Sequence, residues 1–242
     1  MPTAAIYFKL PGNDGSGGGD IWYKLDKAAV NECGLEFDID GITTINWSGM
    51  ASTLAECTAP TVSTLEIPAA KLALTTNFIR NRLTQLTLSS ADGAPLLAAG
   101  AGGYSLVLTG GNITIENNLS YLTPETLGVV NQPLGHVMGT RSVSGNFTCY
   151  LNTIADGSAE LFENIIEGTG QITNSFDLDF AIGGAGQTPR IDVSVPRAHF
   201  ELPSHSVEDV ISLDVAFHGL PGDISDNQIA AGESEITVTY TA

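Results

Sequence analysis

Basic side chains are scarce in this sequence of 242 residues. It has 9 Lys and Arg against 27 Asp and Glu, a formal net charge of −18. Only 15% of the residues are charged, where a typical soluble domain has roughly 25%, so the acidity comes from a shortage of Lys and Arg. A surface of this sign repels phosphate groups, which argues against tight binding of nucleic acid in a basic groove. It still allows DNA to pass nearby without adhering.

Cysteine and long apolar runs are also lacking. The three cysteines, Cys33, Cys57 and Cys149, are an odd number without metal-ligand spacing, which argues against a disulfide framework and indicates a reducing compartment. The N-terminus has neither the basic segment nor the apolar stretch of a signal peptide. The longest uncharged window, residues 93–115, is broken by glycines and fits a hairpin better than a membrane helix. We therefore expect a soluble protein without membrane contact.

The patterns of an active site are missing as well. Of the four histidines, His199 and His205 are six residues apart, not at the three- or four-residue spacing of a helical metal pair. No serine stands in a Gly-x-Ser-x-Gly turn, and Cys149 lies in a strand-like run rather than at a basic helix start. We predict no enzymatic activity, no metal and no cofactor.

Apolar and acidic residues alternate in two segments. Period-two alternation places apolar residues on one face of a β-strand and polar residues on the other. Residues 35–40 put Leu35, Phe37 and Ile39 on the predicted apolar face, and residues 176–180 repeat the pattern. The carboxylates on the opposite faces are Glu36, Asp38, Asp40, Asp177 and Asp179. They form either ordinary solvated sheet faces or a surface that repels a polyanion.

The remaining segments predict a mainly β fold with many short strands. Apolar residues make up 43% of the chain, which is enough for a core, and 27 glycines indicate frequent turns. One helix is predicted at 159–167, started by Ser158, and a shorter one at 77–82. Further strands are predicted at 42–50, 83–89, 104–109, 112–116, 142–151, 176–182, 190–195, 199–202, 210–217 and 235–240.

An internal repeat would divide the chain into two similar halves. Residues 41–54 resemble residues 139–151, and each segment is followed by an alternating strand, a Gly-rich turn and a strand pair ending in an acid. The opposing interpretation is that short β-strands resemble one another without duplication. The predicted division is an N-terminal arm with a Gly-rich link at 1–20, a first tube-like half at 21–120 and a second at 121–242.

Several segments together resemble tail tube (major tail) proteins of long-tailed bacteriophages. The most specific is residues 121–136, YLTPETLGVVNQPLGH. The others are residues 35–49, 77–88, 106–141, 140–151 with the helix that follows, and 207–220. The resemblance covers roughly residues 35–240, with residues 1–34 less informative.

The resemblance implies a β-sandwich or barrel-like fold that polymerises into stacked rings around a hollow tube. The lumen of such tubes is generally negative and lets DNA leave the capsid, so the five carboxylates above become candidate lumen-facing residues. A duplicated chain would form rings of three copies, and a chain with one tube domain would form rings of six.

The resemblance also implies assembly contacts and partners. The assembly arm would contain Ile6, Tyr7 and Phe8, and the long loop would fall within 56–74 or 119–138; we expect arm and loop to order only on polymerisation. Implied partners are further copies of the chain, tail terminator and tail tip proteins, the tape measure protein and passing genomic DNA. The implied location is the virion tail, after assembly in the host cytoplasm. The alternatives are a β-sandwich surface or carbohydrate-binding (adhesive) virion module and a β-scaffold hydrolase.

Overall fold

The computed structural model describes residues 3–12, 19–60, 78–90, 103–122, 135–167, 176–201, 204–207, 211–221 and 235–241. These residues are mainly β, as predicted. The strands are β1 (Ala4–Leu10), β2 (Ile21–Asp38), β3 (Thr44–Met50), β4 (Thr53–Cys57), β5 (Gln85–Ser90), β6 (Tyr104–Glu116), β7 (Leu119–Leu122), β8 (Gly135–Met138), β9 (Ser142–Tyr150), β10 (Phe176–Ile182), β11 (Arg190–Phe200), β12 (Ser204–Val207), β13 (Ile211–Gly219) and β14 (Thr237–Thr241).

The chain divides into two compact units that interleave along the sequence. The first unit contains Met1–Cys33, Trp47–Thr76 and Glu116–Arg141. The second contains Gly34–Asn46, Asn77–Ile115 and Ser142–Ala242. Strands β2, β3 and β6 supply residues to both units. The units are therefore not the consecutive segments 1–20, 21–120 and 121–242 into which the sequence pattern divides the chain.

Six strands of the second unit close into a barrel. Their order is β6–β5–β10–β11–β13–β9, and β9 pairs with β6 to complete the circuit. β14 adds to β11, and β12 adds to β13. Because β5 and β6 precede residue 121 and the other four strands follow it, a single barrel uses strands from both predicted halves.

Phenylalanine rings fill the barrel because the apolar residues of each strand alternate toward its interior. The Phe180 ring lies 5.9 Å from those of Phe37 and Phe217 and 6.4 Å from that of Phe147, centroid to centroid. Phe176 stacks on Phe200 at 4.2 Å. All of these side chains are buried, and each such burial contributes roughly 1.5–3 kcal/mol to folding.

Two long barrel strands replace pairs of shorter predicted strands. β6 runs through Gly110 and Gly111, which we expected to lie between two strands. A Cβ on Gly111 would lie 2.5 Å from the carbonyl oxygen of Asn146, so glycine here permits close strand approach rather than a turn. β11 also continues past Pro196, where a register shift against Phe176 and Leu178 absorbs the missing N–H.

The first unit contains a sheet in which β1, β3 and β4 each pair with β2, and a separate hairpin of β7 and β8. β2 pairs with β1 through Ile6↔Leu25 and Phe8↔Tyr23, and with β4 through Leu25↔Leu54. The N-terminal arm, which we expected to order only on assembly, is therefore a paired strand within the single chain. β7 and β8 form the ends of the predicted 119–138 loop. Residues 123–134, and residues 61–74 of the other candidate loop (56–74), lie outside the described part of the chain.

The predicted helix is confirmed, and the shorter one is wrong over its described part. Helix α1 spans Ser158–Glu167 and buries Leu161 and Ile165. Where a helix was predicted at 77–82, the chain is extended at Arg80 and then forms a 3-10 helix at Asn81–Leu83. In the described ranges, no helix is long and apolar enough to cross a membrane.

Candidate functional site

The first predicted acidic face lies at the end of β2. Leu35 and Phe37 are buried, while Glu36 and Asp38 are exposed on the opposite side of the strand. The alternation stops there because β2 ends at Asp38. Ile39 and Asp40 lie in the following turn and are both exposed, so the expected apolar position of Ile39 and the strand position of Asp40 are wrong.

Glu36 and Asp38 line an open groove of about 660 Å³. Its other walls include Thr109, Asn112 and Asn146 of β6 and β9. This groove combines carboxylates with neutral hydrogen-bonding groups, and none of the residues that line it is basic.

The second predicted acidic face lies on β10, in the barrel wall. Phe176, Leu178 and Phe180 point into the core, while Asp179 is exposed and Asp177 is half-buried on the outside. The predicted alternation is confirmed over this strand. Asp179 lines a different groove from Glu36 and Asp38: it borders a groove of about 260 Å³ together with Asp192 of β11.

Small hydroxyl side chains surround these carboxylates on the neighbouring strands. In an antiparallel sheet, directly opposed residues share a face. Asp179 is opposed by Thr87 and Ser194, and Asp192 by Thr239. We call the carboxylate and hydroxyl residues of this surface the acidic sheet face: Thr87, Ser89, Asp177, Asp179, Asp192, Ser194, Thr237 and Thr239. Gln85, Ala181 and Arg190 lie on the same side of the sheet.

Two electrostatic features mark the acidic sheet face. One carboxylate oxygen of Asp177 is shielded from solvent and has no hydrogen-bond partner among the residues that the structure describes. Burial, and then the charge of Asp179, raise the pKa of Asp177 above its usual value. The neighbouring cation, Arg190, donates from Nε to Oδ2 of Asp192 at 2.7 Å. Its charge is therefore neutralised within the chain.

Net charge is divided unevenly between the two units. The first unit has 8 acidic and 5 basic side chains, a net charge of −3. The second has 19 acidic and 4 basic side chains, a net charge of −15. The acidity of the chain therefore belongs to the unit that contains the barrel.

The predicted arm residues lie on the two faces of β1. Ile6 and Phe8 are on one face, exposed by 44% and 47%, and Tyr7 is on the other, opposite Lys24. The strand register continues the first face onto β2 and β4. We call its apolar part the apolar hairpin face; it consists of Ile6, Phe8, Leu10, Ile21, Tyr23, Leu25 and Leu54, and Glu56, opposite Tyr23, lies on the same side of the sheet.

The described residues provide little for catalysis. Burial raises the pKa of the Cys149 thiol to about 11, so this sulfur is protonated at neutral pH. His218 pairs with Glu201 on the surface at 3.1 Å. Among the residues the structure describes, no group of three or more His, Cys, Asp or Glu is arranged to hold a metal ion. The surfaces found here suit repulsion of anions and contact with apolar partners.

Sequence reasoning missed Asp192 and the hydroxyl groups around it. The signal was present, because Asp192 and Ser194 alternate with buried Ile191, Val193 and Val195. What the sequence did not show is that β10 and β11 are neighbours, which places Asp192 beside Asp179. It also did not show that β4 extends the apolar face of the arm.

Comparison with known proteins identifies the family. The phage tail tube protein family matches residues 3–242 of the chain. The tail tube protein pb6 of Escherichia phage T5 is 28% identical over 208 residues. That alignment covers 84% of this chain and 43% of pb6, so the chain spans less than half the length of this relative. Because the family match extends over almost the whole sequence, the chain belongs to the phage tail tube proteins, which are structural components of the virion tail.

Proposed function

We propose that this protein polymerises into stacked rings that form the hollow tail tube, with a negative lumen through which DNA is ejected. The observation that carries the proposal is the charge of the barrel unit, −15 against −3 for the other unit. The wall of a channel for DNA needs charge of the same sign as the DNA phosphates, since phosphate binds at every exposed cation.

The acidic sheet face is the proposed lumenal surface. It has carboxylates and small hydroxyl groups, and its neighbour Arg190 is ion-paired with Asp192. Large apolar or aromatic side chains, on which bases stack, are absent from this set of residues. Glu36 and Asp38, with Asp40 in the turn beside them, form the second candidate lumenal surface.

The apolar hairpin face is the proposed assembly surface. Leu54, exposed by 63%, lies beside Leu25, and Phe8 beside Tyr23. An exposed, largely apolar sheet face of this kind is stabilised when another subunit covers it. Ile6 and Phe8 of the predicted arm would thus act in assembly as part of a sheet.

The one barrel found in the described residues supports rings of six copies rather than three. Its closed circuit takes β5 and β6 from the first predicted half and β9, β10, β11 and β13 from the second, which supports one tube domain per copy. Assembly in the host cytoplasm, contacts of the tube ends with tail terminator and tail tip proteins, and passage of the tape measure protein belong to the same proposal.

Electron microscopy of the purified chain at increasing concentration tests the assembly. We expect stacked rings with sixfold symmetry around an empty core. Single particles at every concentration would contradict polymerisation, and threefold rings would contradict one tube domain per chain.

Charge reversal tests which surface faces the lumen. We expect phage carrying Asp179→Lys to form tubes of normal length but to deliver DNA at least about tenfold less efficiently, because phosphate binds the new cation. Glu116→Lys, at an exposed carboxylate of the first unit, is the matched control. A defect with Asp38→Lys but not with Asp179→Lys would assign the lumen to the β2 groove. Normal delivery with both would contradict an acidic lumen formed by these residues.

A further inference from the structure

Arg80 and Arg82 of the barrel unit are not paired with a carboxylate in the part of the chain that the structure describes. Among the residues that the structure describes, Arg190 is paired with Asp192, but neither Arg80 nor Arg82 is in an ion pair. Both side chains are exposed. In a chain with only 9 basic side chains, two exposed guanidinium groups so close together require an explanation.

Their backbone segment holds them pointing outward. Buried Ile79 and Asn81 alternate with exposed Arg80 and Arg82. Arg80 forms a β-bridge with Ile42, and the hydroxyl of Thr43 donates a hydrogen bond to the side-chain oxygen of Asn81. The segment is thus fixed to the barrel unit before any partner arrives, which lowers the entropic cost of binding.

Apolar side chains accompany the two arginines. The guanidinium carbon of Arg80 lies 5.5 Å from the centre of the Phe78 ring, a cation–π distance. Phe78 is exposed by 42% and Leu83 by 52%. We call Phe78, Arg80, Arg82 and Leu83 the arginine ridge. Exposed aromatic and arginine side chains in one patch are the composition typical of the energetic centre of a protein interface.

We propose that the arginine ridge binds an acidic surface on the barrel unit of a second copy of this chain. The inference rests on the proposed tube and adds a specific contact to it. Charge complementarity carries it, because the barrel unit of every other copy has a net charge of −15.

The same charges determine the kind of contact. A two-fold symmetric contact through the ridge would place arginines against arginines, which is repulsive. A contact between the arginine ridge of one copy and an acidic surface of the next copy joins two different patches. Such a contact is head-to-tail, and it can repeat from copy to copy. Such contacts close into rings or continue as filaments, as a tube requires.

The position of Arg82 also explains why it has to be neutralised. Arg82 lines a groove of about 300 Å³ with Gln85 and Val107, and Gln85 also borders the groove that contains Asp179. An uncompensated cation beside the acidic sheet face would hold a phosphate of passing DNA. A carboxylate of the neighbouring copy that pairs with Arg82 prevents this phosphate contact.

The first test compares two variants with the same change in net charge. Arg80→Gln with Arg82→Gln removes two positive charges from the ridge. Thr153→Glu with Ala155→Glu adds two negative charges at exposed positions away from it in sequence. We expect the ridge variant to need at least about tenfold more protein for tube formation, and the control to assemble within about twofold of the wild type. Melting temperatures of the unassembled proteins establish that both variants fold.

Tube formation by the ridge variant at the wild-type concentration would overturn the inference while leaving the proposed function intact. Failure of the wild type to form tubes would instead contradict the proposed function. If the ridge variant assembled normally but lost measurable DNA binding, the ridge would be a DNA contact and the inference would also be overturned.

A second test identifies the neighbour directly. Arg82→Lys introduces an amine that a carbodiimide can link to an adjacent carboxylate without a spacer. Tubes assembled from equal amounts of 14N- and 15N-labelled protein distinguish links between copies from links within one copy. We expect mixed-isotope peptides joining position 82 to a carboxylate of the second unit. Links confined to single copies, or none in intact tubes, would overturn the inference.

Discussion

Gly145 lies so close to the ring of Phe217 that a Cβ on Gly145 would be 2.7 Å from Cζ of the ring. The two residues are opposed in the pairing of β9 with β13, and the carbonyl oxygen of Asn112 in β6 lies against Gly145 as well. The absence of a side chain at position 145 therefore lets three strands meet where the barrel closes.

Gly145→Ala is expected to lower the free energy of unfolding by about 1–3 kcal/mol, because the added methyl group overpacks the closure. Denaturant unfolding followed by tryptophan fluorescence and circular dichroism measures the loss. Gly34→Ala is the control, since nothing lies within 4 Å of its Cβ position, and it is expected to change stability by less than about 0.5 kcal/mol. Equal stability of the two variants would contradict the prediction, because it would mean that the strands around Gly145 can move apart without loss of folding free energy.

Phe180→Ala is expected to destabilise the second unit by about 3–5 kcal/mol, as is usual when a fully buried ring is removed. The ring contacts three other phenylalanines, so the cavity it leaves has rigid walls. Tyr150→Ala removes an aromatic ring that is 49% exposed and serves as the comparison. A loss below about 1 kcal/mol for Phe180→Ala would contradict a packed barrel interior.

Ser158→Ala is expected to lower the free energy of unfolding by about 1–3 kcal/mol, because it removes the hydrogen-bond partner of two backbone groups, the carbonyl of Tyr150 and the amide of Asn152. The Ser158 hydroxyl donates to the carbonyl of Tyr150 at 2.7 Å and accepts from the amide of Asn152 at 2.8 Å. This links the start of α1 to the end of β9. Hydrogen exchange should become faster at residue 152 and along α1, while Thr153→Ala, at an exposed neighbouring position, should leave both unchanged.

Asp177→Asn is expected to stabilise the protein at pH 7 and to lose this effect as the pH falls to about 3.8, the usual Asp value. Folding raises the pKa of Asp177, through burial first and Asp179 second, so the ionised form opposes folding. That penalty is present above the raised pKa and disappears once the group is protonated in both states. Chemical denaturation at pH 7 and at pH 3.5 measures the difference.

The control for this prediction is Asp38→Asn, which removes the same charge from an exposed carboxylate of the second unit. It corrects for the general relief of repulsion in an acidic protein. If the two variants were equally stabilised at pH 7, the burial of Asp177 would have no effect on stability.

Sequence patterns predicted several elements closely. β10 has the predicted bounds of 176–182, and α1 begins at Ser158, one residue before the predicted start. Both signals are local: period-two alternation from Phe176 to Ile182, and a polar residue followed by an amphipathic turn. Local signals failed where tertiary packing overrode them, as at Gly110 and Gly111, where glycine suggested a turn and the strand continues.

The candidate site was predictable only in part. The sequence identified Asp177 and Asp179 as one polar strand face, because side chains alternate along any strand. It did not predict that Asp192 lies on the same face, since strand neighbours are determined by pairing between residues far apart in sequence. The arm shows the same limit: its apolar residues were recognised, but their pairing with Tyr23 and Leu25 of β2 was not.

The sequence by itself determined that this protein is mainly β, acidic through a lack of Lys and Arg, and similar to phage tail tube proteins. Composition, alternation and local motifs carry that information without knowledge of which residues meet. The tertiary structure alone decided that both halves of the chain build one barrel and that this unit holds most of the net charge. It also decided which carboxylates share a face, because strand order and register depend on burial and pairing between residues far apart in sequence.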